Sequence, residues 1–80
     1  MEEGLLVARF QKNASEEVRA QIIKYKGHDL IDVRVWVPRQ DRPGENPTKK
    51  GLTLNIELLP QLKDAVLKLE TALRDIGKIA

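Results

Sequence analysis

Residues Asp29 to Gly51 read DLIDVRVWVPRQDRPGENPTKKG, a strand that runs into a polar loop ending on two lysines. Successive side chains of a strand face opposite sides of a sheet. Ile31, Val33, Val35 and Val37 therefore share one side, and Leu30, Asp32, Arg34 and Trp36 share the other. The first set is β-branched throughout and suits a core. The second sets a guanidinium two residues from an indole, a pairing that can hold a phosphate with one group and stack a base on the other. The same residues admit a plainer reading, in which Asp32 pairs with a neighbouring cation and Trp36 caps the edge of the core.

On the N-terminal side, Leu5 to Lys12 reads as a first strand with Leu6, Ala8 and Phe10 on one side, followed by a turn at Asn13-Ala14-Ser15. Glu17 to Tyr25 sets Val18, Ala20 and Ile22 against Arg19, Gln21 and Ile23 and forms a second strand. Gly27, central in Lys26-Gly27-His28-Asp29, marks a tight hairpin, so the second and third strands are antiparallel neighbours. On the C-terminal side, Pro38 ends the third strand. Arg39 to Asn46 carries Pro43-Gly44 and no aliphatic residue, which describes an exposed loop. Pro47 to Gly51 tightens that loop before a short fourth strand, Leu52 to Leu54.

Asn55 then serves as N-cap, and a helix is predicted from about Ile56 to about Ile76, with Pro60 tolerable only near its start. Leu59, Leu62, Val66, Leu69, Leu73 and Ile76 form one apolar stripe, Leu67 falls on the charged side, and Gly77 suits the C′ position. The whole chain is read as a single domain, 1–80, of the α+β class: a four-stranded antiparallel curved sheet followed by one long amphipathic helix, ββββα, with its core at about 5–77. A helix of roughly 30 Å overhangs an eight-residue strand of roughly 26 Å. Its apolar stripe, in a chain too short for a comfortable core and without cysteine, implies a homodimer.

The absence of cysteine, of a basic n-region in the start MEEGLL and of any long apolar run predicts a cytoplasmic protein that neither spans nor engages a membrane. Net charge is only +2, but residues 9–50 hold ten Lys/Arg against six Asp/Glu, so the predicted sheet favours an anionic partner. One isolated histidine, read as a turn residue, argues against a metal or a general base. Glu16-Glu17 and Asp29/Asp32 make no acid/base pair, and no phosphate-binding loop, dinucleotide fingerprint or nucleophile motif is present. No enzyme and no cofactor are expected.

The order ββββα, the run Tyr25-Lys26-Gly27 with Leu30 to Trp36, and Pro47-Thr48-Lys49-Lys50-Gly51 followed by an amphipathic helix resemble the C-terminal domain of the transcriptional coactivator positive cofactor four, over residues 18–75. The resemblance implies a homodimer that binds single-stranded or unwound DNA with little sequence preference, serving the transcription machinery. It implies nucleic-acid roles for Tyr25, Lys26, Arg34, Lys49 and Lys50. Read from the residues alone, Gly51 either lets a backbone N–H approach a phosphate or serves strand entry after the turn. Trp36 lies one residue before the family's stacking tryptophan, a position held here by Val37, so a stacking role for it requires a bulge. His28 and Asn46 replace family lysines, which implies weaker binding. The family's serine-rich tail is missing, so the chain resembles the bare core of bacterial relatives, where a nucleoid location follows. RNA in place of DNA, or a dimeric protein-interaction module without nucleic acid, are the alternative readings.

Overall fold

The computed structural model describes residues 4–38 and 45–80. The element order is β1 (Leu5–Gln11), β2 (Glu17–Tyr25), β3 (His28–Pro38), β4 (Glu45–Asn55), a 3₁₀ turn (Ile56–Leu58) and α1 (Leu59–Asp75). The strands form one antiparallel sheet in the order β1-β2-β3-β4, so each pairs with its chain neighbour. Much of the loop expected at 39–46 lies outside the described residues, but Glu45 and Asn46 already pair with Pro38 and Val37.

The β2–β3 hairpin is the regular part of the fold. Its register runs without interruption from Glu17↔Trp36 to Tyr25↔His28. Two residues connect the strands, Lys26 at φ 51° and Gly27 at φ 79°, a pair of positive values that matches the right-handed twist of the strands it joins. Glycine takes that conformation freely; Lys26 does so against its own β-carbon. The turn before β2 is held by backbone bonds from Lys12 and Asn13 to Glu16 O and by side chains, the Asn13 amide foremost. Asn13 Oδ1 accepts from the backbone N–H of Ser15 at 3.0 Å and of Glu16 at 2.9 Å.

Because paired residues share a face, the register sorts the whole sheet. Ile22, Ile31 and Leu54 lie on one face with Ala20, Val33 and Leu52. The other carries Arg19 with Arg34, Gln21 with Asp32 and Thr53, and Glu17 with Trp36. The alternation predicted for β3 is present. The side predicted for β1 needs correction: a register shift between Leu6 and Ala8 puts Leu6 opposite Gln21, while Ala8 and Phe10 stand opposite Ala20 and Val18. One extra residue reverses the facing of everything beyond it.

The fourth strand is longer than three residues, because backbone pairing with β3 resumes before the lysines and carries Pro47 at an edge, where its missing N–H is tolerated. The helix begins later than predicted. Pro60 occupies the first turn of α1, and the preceding residues form the 3₁₀ turn instead. Asn55 has the extended backbone of a cap, φ −60° and ψ 144°, but makes no side-chain capping bond. The C-terminus behaves as the sequence predicts: Gly77, at φ 77°, donates to Arg74 O and Lys78 N donates to Leu73 O, the paired closure of a Schellman motif.

The comparison of helix and strand lengths also reverses. At 11 residues β3 spans roughly 36 Å, and at 17 residues α1 spans roughly 26 Å. The helix nevertheless fails to cover the apolar face. Its N-terminal Leu59 and Leu62, with Ile56, border a groove of about 630 Å³ whose floor includes Ala20, Ile31 and Val33. Beyond Leu62 every residue of α1 is exposed, Val66, Leu69 and Leu73 among them. Among the described residues the only buried hydrophobic side chains are Ile23 and Val35. The radius of gyration, 14.9 Å, exceeds the roughly 12 Å of a compact 80-residue domain.

Candidate functional site

The face of the sheet away from the helix is polar and cationic across its middle rows, and carries Ile23, Leu30 and Tyr25 toward the β2–β3 hairpin. Arg9, Arg19 and Arg34 stand directly opposite one another across β1, β2 and β3, with Gly51 completing the row on β4. Like charges so placed repel. Glu17 and Asp32, each two residues upstream on the same face, answer the inner two. Arg19 Nε donates to Glu17 Oε1, and Arg34 Nη2 pairs with Asp32 Oδ1 at 3.0 Å. The corresponding position before Arg9 is Val7, so the outer end of the row has no such carboxylate on its own strand.

Arg34 is the most tied of the predicted site residues. Its Nε donates to both Asp32 oxygens, at 3.1 and 3.3 Å, its Nη2 also donates to Thr53 Oγ1 at 2.9 Å, and its Nη1 donates to Thr48 O at 3.0 Å. Thr53 Oγ1 in turn donates to Asp32 Oδ1 at 2.8 Å. Asp32 is 1% exposed, a buried carboxylate sustained by a guanidinium and a hydroxyl. Asp32 therefore has the plainer of its two sequence readings.

Trp36 lies on the same face as Arg34, as strict alternation requires. A bulge is present nearby, yet it does not reorient the indole. The interruption falls between Arg34 and Trp36 in the pairing with β4 alone, while the pairing with β2 continues through Glu17↔Trp36. The extra residues, Thr48 to Lys50, belong to β4. Trp36 is half-buried, and the guanidinium carbon of Arg19 lies 4.6 Å from its ring centroid, a cation-π contact that covers one side of the ring.

Lys49 and Lys50 are exposed on the bulged segment. Lys50 Nζ lies 3.8 Å from Glu16 Oε2. Glu16 also accepts from Asn13 Nδ2 at 2.6 Å, and that hydrogen bond, with smaller help from Lys12 and Lys50, holds its carboxyl below the ordinary value of 4.5. Gly51 is required by space: at φ 155°, an added β-carbon would lie 2.4 Å from Val33 O and 2.7 Å from Arg34 Cα. Its role is close packing against β3. Tyr25 and Lys26 sit at the hairpin end, with Lys26 Nζ 5.3 Å from the Tyr25 ring centroid. Tyr25 lines a shallow hollow with Ile23, Leu30 and Thr53, which puts it on the same face as the arginine row.

The structure thus divides the predicted residues between two places. Eight residues of strand, roughly 26 Å, separate the hairpin tip from the end where Trp36 and the lysine bulge lie. His28 opens β3 and is not in the turn, and Asn46 is half-buried opposite Val37. Residues missed at the sequence level are Arg9, Arg19, Thr48 and Thr53. Arg19 carried a readable signal, a glutamate two positions before it on a strand, the same spacing as Asp32 and Arg34.

Among the described residues no group of three or more His, Cys, Asp or Glu is arranged to hold a metal, and no helix is long and apolar enough to cross a membrane.

A four-stranded meander with one C-terminal helix, carrying a row of arginines on the face away from that helix, defines a class of small sheet proteins. Residues 12–65 match the family model described as transcriptional coactivator p15 (PC4), and the chain belongs to that family. Among solved structures it is similar to a PC4 homologue from Burkholderia pseudomallei K96243. In the tetragonal crystal form the TM-score is 0.77 at 29% identity, covering 85% of this chain and 98% of that one. The orthorhombic form gives 0.76 at 30% identity, covering 88% and 93%. The fold is also that of a bacteriophage T5 homologue of the eukaryotic coactivator PC4, implicated in recombination-dependent DNA replication, with a TM-score of 0.68 at 21% identity over 95% and 90% of the two chains. No curated protein matches the sequence.

Proposed function

We propose that the protein is a homodimeric single-stranded-DNA-binding module with little sequence preference, acting as a transcription coactivator-like factor and not as an enzyme. The observation that carries this reading is the separation of the two sheet faces: the arginine row and the lysine bulge lie away from an apolar groove that serves a different purpose. Cations on a sheet track a phosphate backbone, and planar groups beside them receive bases without reading sequence.

In this reading Lys49, Lys50, Arg9 and Lys26 meet phosphates, and Tyr25 is the exposed aromatic platform. Trp36 packs against Arg19, whose guanidinium covers one side of its ring. The family relationship supports nucleic acid as the anion. The second copy occupies the groove and the exposed stripe of α1, because the chain by itself leaves Leu59, Val66, Leu69 and Leu73 in water.

Gel shifts with single-stranded DNA, duplex DNA and RNA of equal length test the reading. Preferential retention of single-stranded DNA, lost as salt rises, is the expected result. Stronger retention of RNA reassigns the ligand, and no retention of any of the three overturns the proposal.

A further inference from the structure

We propose that Arg34 and Asp32 are positioning residues, a buried fork that holds the Lys49-Lys50 segment in its binding shape, and that Arg34 is not itself a phosphate ligand. The inference rests on the reading of Lys49 and Lys50 as phosphate contacts. It begins from the broken ladder. Arg34 pairs with Gly51 and Trp36 with Pro47, so Thr48, Lys49 and Lys50 together stand opposite Val35 alone. A bulge of that size loses regular strand bonds and needs other partners for its backbone.

Three hydrogen bonds supply them. Arg34 Nη1 donates to Thr48 O at 3.0 Å, Thr48 Oγ1 donates to Val35 O at 2.9 Å, and Lys50 N donates to Thr48 Oγ1 at 3.1 Å. Thr48 is thus held by Arg34 on one side and holds Lys50 on the other. Arg34 has little left for a ligand. Its Nε and both Nη2 hydrogens are taken by Asp32 and Thr53, one Nη1 hydrogen by Thr48, and its side chain is 15% exposed. Lys50, by contrast, has a side chain that is 70% exposed.

Lysine has the charge of arginine but presents its donors from one nitrogen, so it cannot span Asp32, Thr53 and Thr48 together. Arg34→Lys therefore separates the two roles. The experiment measures binding of a labelled thymine 20-mer by the full chain, in wild type, Arg34→Lys, Lys49→Ala/Lys50→Ala and the triple variant, with folding checked by circular dichroism. Arg34→Lys should weaken binding by about the same factor as the lysine pair, roughly tenfold, and the triple variant should lose no further factor. Thr48→Val, which adds or removes no charge and leaves the Asp32–Arg34 pair intact, should also weaken binding and should speed hydrogen exchange at the Lys50 amide. It carries the test should Arg34→Lys fail to fold.

Wild-type affinity and salt dependence in Arg34→Lys would overturn the proposal. So would losses that multiply in the triple variant, or a Thr48→Val protein that binds as wild type does. Those outcomes leave the proposed function standing, whereas failure of the wild-type chain to bind the oligonucleotide overturns that reading and this one with it.

Discussion

Arg34 and Gly51 face each other across β3 and β4 with no room between them: a β-carbon on Gly51 would lie 2.7 Å from Arg34 Cα and 3.0 Å from Arg34 Cβ. The obstructing atoms are backbone and the root of a side chain, which cannot swing away. Gly51→Ala is expected to lose about 1–3 kcal/mol of stability by forcing the strands apart at the bulge. Urea unfolding followed by the fluorescence of Trp36 measures it, and an unchanged midpoint would contradict the account of the bulge.

In the proposed dimer a second chain covers the apolar groove and the bare helix stripe. Light scattering at micromolar concentration is expected to return twice the chain's 9.1 kDa. Charged substitution at Leu69 or Leu73 should dissociate the dimer and unfold it in the same step, since so little core is formed within one chain. A folded monomer would refute the assignment of this surface.

Trp36 is half-buried and lies against Arg19, so its truncation should act mainly on stability. Trp36→Ala is expected to cost about 2–3 kcal/mol, most of it lost packing and the remainder the cation-π contact. Circular dichroism during urea unfolding reports this without the indole. A stable Trp36→Ala protein whose oligonucleotide binding nonetheless collapses would make the indole a direct base platform.

Glu16 gives the turn before β2 a pH dependence. Its carboxyl is held below the ordinary 4.5, first by the Asn13 hydrogen bond and then by Lys12 and Lys50. A carboxyl whose folded value is depressed contributes stability that is complete above the unfolded value and disappears as pH falls through the folded one. This contribution is therefore constant at neutral pH and lost below about 4.5. Asn13→Ala should move the Glu16 titration, followed by nuclear magnetic resonance, back up toward that value. A titration that does not move would remove Asn13 as the cause.

The hairpin was legible because its signals are local. Alternation in β2 and β3 and Gly27 between them determine register within a few residues of chain. The C-terminal closure at Gly77 was legible for the same reason. What escaped the sequence depends on contacts between strands. The bulge in β1 moves Leu6 to the other face, and nothing within LLVARFQ announces it. The pairing that extends β4 back to Glu45 depends on β3, against which the run of polar residues before Leu52 looks like loop. At the site, the spacing of Arg34 and Trp36 was readable, but spacing does not reveal that Thr48 and Thr53 occupy the guanidinium. Arg9 and Arg19 meet only through the register of β1 on β2.

The central claim is that the lysine bulge and the sheet it adjoins bind single strands through phosphate charge. The most direct measurement is the affinity of wild-type and Lys49→Ala/Lys50→Ala protein for a thymine 20-mer across a salt series. With Arg9, Lys26, Lys49 and Lys50 each neutralising one phosphate, log affinity should fall against log salt with a slope near −3 per subunit, and the double substitution should flatten it by about 1.4. A slope that the double substitution leaves unchanged would contradict the account.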